Sequence, residues 1–255
     1  MSGLVGAIAL LTRIPVGADR QSPRALASSV PWFPIVGAGV GLTIAVAYAA
    51  GAAVLPSFVA AVLAVAAGTL LTGAFHEDAL GDVADAFGGG ATIERRLEIL
   101  DDPRHGTFGV MAIGTALLVR VGALGSIDVV DALVLMPSAH AISRAAAIGL
   151  MRGRPLVPPS GMGASYAASL TAREGTVGVV AGIVICGALI GVWTLPAAAA
   201  CAMVAFIMGA LAKAKVGGIG GDVLGATQQV AELAVLSIGA AVVHEGWADL
   251  AWWLR

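Results

Sequence analysis

His76-Glu77-Asp78-Ala79-Leu80-Gly81-Asp82-Val83-Ala84-Asp85-Ala86-Phe87-Gly88-Gly89-Gly90 opens a polar stretch that continues to Asp101-Asp102-Pro103-Arg104-His105-Gly106-Thr107. Between His76 and Thr107 lie eight of the chain's sixteen acids, against three arginines. On either side the sequence is nearly unbroken Ala, Val, Leu, Ile and Gly. The stretch reads as a hydrophilic segment carried at the edge of an apolar body. A helix over His76–Phe87 puts Asp78, Asp82 and Asp85 at i, i+4 and i+7, their directions within roughly 60° of one another. Three carboxylates on one stripe repel unless a cation sits among them. Hard oxygen ligands at this spacing suit Mg²⁺, with Mn²⁺ as second choice. The competing reading is a solvated acidic face.

Composition sets the surroundings of that stripe. Hydrophobic residues are 58% of the chain and charged residues 12%, with a mean hydropathy of +0.93. A soluble domain carries about twice that share of charge, so the sequence predicts an all-α integral membrane protein. A net charge of −2 without a basic run excludes a nucleic-acid footprint. Cys186 and Cys201 sit in apolar segments with no metal-ligand spacing and read as small buried hydrophobes.

The flanking apolar runs predict about seven transmembrane helices in one polytopic domain over 1–255. They cover about Phe33–Leu55, Ser57–Phe75, Phe108–Ile127, Val130–Met151, Val177–Thr194, Pro196–Ala212 and Val230–Val243. Ser2–Thr12 is too short to span and reads as an interfacial or re-entrant helix. Trp247, Trp252 and Trp253 form an aromatic belt near the end of the chain. In this arrangement eleven of the fourteen Lys and Arg residues fall on one side. By the positive-inside rule that side is cytoplasmic. It carries both the acidic segment, about 76–107, and a Gly-rich segment, about 213–229.

That shared face carries the remaining candidates. Thr92 reads as the N-cap of a second helix bearing Glu94, Glu98 and Asp101. Gly217-Gly218-Ile219-Gly220-Gly221-Asp222 is a loop whose backbone N–H groups approach an anion closely, with a helix N-terminus behind it. Asp222 is a further metal or hydroxyl contact, and Gly218 and Gly221 are backbone contacts. Arg95, Arg104 and Arg144 are candidate phosphate partners; Arg144, within a span, needs an acid or an anionic ligand. Asp102 is a secondary ligand or ribose contact, and His76 and Glu77 are assigned to substrate. His105 stays open between ligand and structural histidine, and His140 reads as structural.

The stretch His76–Asp85 resembles the H-x-D-G-L-x-D-x-x-D-G signature of the adenosylcobinamide-GDP ribazoletransferase family, also called cobalamin synthase. Leu10–Val16 and Trp32–Gly37 look like that family's start and first-span entry. Arg95–Gly109 is similar to its R-x-L-E-I-M-x-D-S-R-x-G-T-x-G segment, and Gly217–Gly225 to its G-G-x-T-G-D-x-x-G loop. Ala79 and Ala86 replace glycines, Pro103 a serine and Gly220 a threonine, while the acids are intact. The resemblance implies transfer of adenosylcobinamide phosphate from adenosylcobinamide-GDP to α-ribazole or its 5′-phosphate, with release of GMP and a requirement for Mg²⁺. It also implies a bacterial inner-membrane protein with its site facing the cytoplasm, in contact with lipid and with other enzymes of cobalamin biosynthesis. Two other readings compete. A CDP-alcohol phosphatidyltransferase shares the spaced aspartates, but its D-x-x-D-G-x-x-A-R pattern differs from the spacing here. A transporter expects acids near the bilayer midplane, whereas these gather at one face.

Overall fold

A computed structural model describes residues 3–17, 24, 27–151, 156–157, 169–251 and 253. Among them are ten α-helices and no strand beyond an isolated bridge between Leu156 and Ile219. They are α1 (Gly3–Leu11), α2 (Phe33–Ala52), α3 (Ser57–Thr72), α4 (Phe75–Gly89), α5 (Ile93–Leu100), α6 (Thr107–Gly125), α7 (Val129–Leu150), α8 (Ala172–Ile190), α9 (Thr194–Val216) and α10 (Gly221–His244).

The bundle is arranged around α7, whose residues are buried on every side, from Asp131 near its start to Leu150 at its end. Side chains small enough for backbones to touch make this possible. A Cβ on Gly41 of α2 would stand 2.4 Å from the Met136 carbonyl oxygen, and one on Gly37 2.6 Å from that of His140. On the outside, large apolar side chains such as Leu42, Phe58, Leu70, Leu118, Val184 and Phe206 are exposed. A surface of this kind fits lipid. Five helical stretches are long and apolar enough to cross a membrane, or six if the bent pair α3–α4 counts as one. The chain is thus a helical, integral-membrane type of protein.

One of the five stretches, 172–216, has 45 residues. At 1.5 Å per residue that is about 67 Å, more than twice the hydrocarbon thickness. Gly191, at φ 54°, divides it into α8 and α9. The chain then returns: Lys215 Nζ donates to the Phe87 carbonyl at 3.2 Å, and Arg96 to the Lys215 carbonyl at 3.0 Å. The end of α9 therefore lies beside α4 and α5.

The break that matters most separates α3 from α4, whose axes meet at 90°. Gly73 (φ 68°) and Ala74 (φ 58°) are consecutive residues in the left-handed region, and Ala74 is the one non-glycine there among the described residues. The φ of Gly73 favours glycine, and a Cβ there would also lie 2.0 Å from Arg13 Nε, whose exposed side chain would have to move. Past this corner α4 runs at a right angle to α3, and α5, which follows it, buries none of its residues fully.

Several predicted boundaries are corrected. The span expected to start at Val230 begins at Gly221, the one expected to end at Ala212 runs to Val216, and the one expected over Val177–Thr194 is Ala172–Ile190. Gln228, Gln229 and Glu232 are therefore inside a helix, because their polar side chains meet polar partners from neighbouring helices. The non-helical part of the Gly-rich segment shrinks to Gly217–Gly220. At the far end, Trp193 stacks on Trp247 at 6.3 Å and Trp253 donates to the Leu189 carbonyl at 3.0 Å; Trp252 lies outside the described residues.

Candidate active site

Helix α4 carries four acids close together, and the structure divides them into two pairs. Glu77 and Asp85 lie eight positions apart and, with Gly81 between them, form the stripe that faces α6. Asp85 is buried and accepts from the backbone N–H of Gly106 at 2.6 Å and of Gly109 at 2.9 Å. Those amides belong to the N-terminus of α6, where a carboxylate is favoured. Glycine is required at both positions, since added Cβ atoms would approach Asp85 oxygens to 2.8 and 2.3 Å.

Glu77 is buried and pairs with Arg120 of α6 at 2.9 Å. Arg120 is itself buried and also holds Glu232 of α10 at 2.8 Å and the side-chain oxygen of Gln229. From Glu232 the network continues to His140 at 3.3 Å and Gln228 at 2.6 Å. Glu77 borders a pocket of about 20 Å³, which has room for one water-sized group and none for a substrate.

The other pair, Asp78 and Asp82, each follow a residue of that stripe by one position; the Asp78 side chain is exposed and that of Asp82 is largely covered. His105 stands between them, its Nε2 3.3 Å from Asp78 and its Nδ1 3.4 Å from Asp82. Gly81 makes the approach possible, because a Cβ there would come within 2.8 Å of the imidazole. One ligand atom from each of Asp78, Asp82 and His105 lies within 4.8 Å of the others, a spacing open to a metal ion. Burial, and then the charges of Asp78 and Asp222, push the Asp82 carboxyl up to about 6. A cation would relieve that repulsion, so the donor set fits a divalent metal.

Asp78 also lines a cavity of about 490 Å³, together with Asp101, Asp222, His76, Arg144 and Gln228 among its polar residues. Its remaining wall is apolar, with Leu10 and Leu11 of α1, Phe33, and Leu97 and Leu100 of α5. Arg144 is buried and donates to the His140 carbonyl at 2.8 Å, and no described carboxylate pairs with it within 4.0 Å. Ala79, where the family signature has glycine, is accommodated by Gly225 of α10; a Cβ there would lie 2.6 Å from that of Ala79.

Several expectations are therefore revised. Asp85 does not converge with Asp78 and Asp82 on His105, because both its oxygens accept from amides at the start of α6. Glu77 is directed into the bundle, toward Arg120, and not into the larger cavity. Arg104 grips Asp102 with contacts of 2.9 and 2.8 Å, and Arg95 pairs with Glu98 at 2.7 Å; all four sit outside the cavity. The Arg104 guanidinium holds the Asp102 carboxyl down at about 2. Gly218 is buried behind the loop, whereas Gly220 and Gly221 reach the cavity. His105, Asp101 and Gln228 gain places that sequence reasoning did not give them. For His105 the available signal was its position at the second edge of the acidic stretch.

Comparisons with known proteins bear on what this site does. A sequence model of the family described as cobalamin-5-phosphate synthase matches residues 3–240. The adenosylcobinamide-GDP ribazoletransferase of Azorhizobium caulinodans is 38% identical over 244 residues, covering 90% of this chain and 92% of that protein. The protein of the same name from Ralstonia pickettii is 36% identical over 257 residues, covering 96% and 94%. No solved structure matches the chain.

Proposed function

The chain belongs to the cobalamin-5-phosphate synthase family, and from that premise we propose that it catalyses adenosylcobinamide-GDP ribazole transfer at the acid pair and cavity described above. Membership decides against the lipid-synthase and transporter readings. The reaction joins adenosylcobinamide phosphate to α-ribazole or its 5′-phosphate. A ribose hydroxyl attacks the cobinamide-side phosphorus, the bridging P–O bond of the diphosphate breaks, and GMP leaves as an anion.

The observation that carries the reading is the convergence of Asp78, Asp82 and His105 beside a cavity that also holds Arg144. Asp78, Asp82 and His105 would hold Mg²⁺, or Mn²⁺ in its place, with Asp222 across the cavity as a further contact. When bound, such a cation would supply charge neutralisation to a diphosphate. Asp82 takes the proton of the attacking hydroxyl on its carboxylate. Arg144 supplies guanidinium N–H groups to a phosphate, and Gly220–Gly221 offers backbone N–H groups at the start of α10. The apolar wall from α1 and α5 takes up the less polar parts of the substrates and keeps water out.

The membrane arrangement follows the same reading. Counting α8 and α9 separately, α3 as a span and α4 as a surface helix gives seven crossings. The gathering of positive charge at the α4 end supports reading that end, and the site with it, as the cytoplasmic side of an inner membrane.

The test is GMP release by the purified full chain in nanodiscs, with adenosylcobinamide-GDP and either acceptor. Release that requires acceptor and Mg²⁺ together, and drops at least a hundredfold in Asp78→Asn and Asp82→Asn, is expected. Turnover near wild type in both variants, or turnover unaffected by chelation, would remove the acid pair from the reaction.

A further inference from the structure

We propose that Arg120, which does not line the larger cavity, is a positioning residue that sets the roll of α4 and thereby aims Asp78 and Asp82 at the cation. This rests on the reading of those two acids as cation ligands.

The geometry starts from adjacency in sequence. Glu77 and Asp78 are consecutive on a helix, so their side chains leave its axis about 100° apart. Fixing one fixes the other. Glu77 is fixed by Arg120 at 2.9 Å, and Arg120 is anchored in turn by Glu232 of α10 at 2.8 Å and by Gln229. Eight residues further along, Asp85 is fixed by the Gly106 and Gly109 amides. Both fastenings belong to the same helix, α6, and Asp78 and Asp82 lie between them in the chain.

A helix held at one point can still rotate about its axis, and held at two it cannot. The mid-point contact needs the same roll, because the His105 ring fits only against the bare backbone of Gly81. Rotation of α4 by a few tens of degrees would carry Asp78 and Asp82 off His105. It would also drive the neighbouring helix surface into that ring. The fixed corner at Gly73–Ala74 does not supply this control, since it sets the direction of α4 and leaves the α6-facing side to be chosen by its contacts.

Mn²⁺ titration of the full chain in nanodiscs, read by the EPR signal of free Mn²⁺, tests the assignment. Arg120→Lys keeps a positive charge beside both carboxylates but loses the fork that bridges them. Glu77→Gln keeps the shape of the side chain and loses the ion pair. Each is expected to bind Mn²⁺ about tenfold more weakly than wild type, as supporting contacts behind a metal ligand do. Tyr48→Phe is the control, because it removes the hydrogen bond to the Ile127 carbonyl at the far end of the bundle. It should lower the melting temperature and leave Mn²⁺ affinity within twofold. Wild-type affinity in folded Arg120→Lys and Glu77→Gln overturns the positioning role. If Arg120→Lys does not fold, Glu77→Gln decides alone. Absence of Mn²⁺ binding by the wild-type protein overturns the cation reading itself, a different result from a different arm.

Discussion

At the scale of single residues, Asp82 is where environment most changes chemistry. Its carboxyl is raised to about 6 by burial first and by Asp78 and Asp222 next, with His105 opposing. The folded pKa lies above the unfolded one, so the protonated form stabilises the fold. That contribution is complete below about pH 4 and is lost as pH rises through about 6. Function needs the ionised form, so the signs oppose. GMP release at limiting Mg²⁺ is expected to fall as pH drops through about 6, with the inflection moving lower as Mg²⁺ is raised. A profile flat between pH 5 and 8 would contradict it. Gly81 supplies a second prediction: Gly81→Ala puts a methyl group within 2.8 Å of the His105 ring. The imidazole must move, and Mn²⁺ affinity should drop about tenfold while the fold persists. The candidate acids were visible in sequence as a stripe. Their division was not, since i, i+4, i+7 spacing says which side chains share a face and not what stands opposite. Asp85 looked equivalent to Asp78 until α6 presented its amides.

At the scale of elements, α4 and α6 behave as one unit. The sequence places Gly106 and Gly109 in a segment similar to the family's R-x-G-T-x-G, but their reason shows only when an acid from another helix fills the space they leave. Asp85→Ala leaves two amides at the α6 terminus without their acceptor and should cost about 1–3 kcal/mol, measured by thermal unfolding in detergent. Asp85→Asn, which can still accept, should lose less. Equal losses in both would show that the charge, and not the hydrogen bonds, holds the two helices together. Helix α5 was legible by its Thr92 cap, whose hydroxyl accepts from the Arg95 amide at 3.2 Å. The start of α10 was not, because five glycines in nine residues argue for a loop, while Asp222 in the first helical turn and close contact with Ala79 argue for a helix.

At the scale of the whole molecule, the segregation of Lys and Arg in sequence anticipated which helix ends lie together. In the structure Arg24 pairs with Glu174 at 2.8 Å, and Arg96 reaches the Lys215 backbone, all at the end that carries α4. Arg20, Arg152 and Arg154 lie outside the described residues. The hydropathy pattern could not show the 90° corner, which depends on two adjacent left-handed residues. Orientation is open to a direct check: Glu98→Cys, exposed on α5, should react with a membrane-impermeant maleimide in inverted vesicles and not in intact cells. Native Cys186 and Cys201 are buried and should stay silent. The most direct measurement is anomalous diffraction or cryo-EM difference density from the Mn²⁺-soaked protein. The account predicts a peak within coordination distance of Asp78, Asp82 and His105, opening onto the cavity that holds Arg144. A peak elsewhere with those side chains bare, or no peak at saturating Mn²⁺, would contradict it.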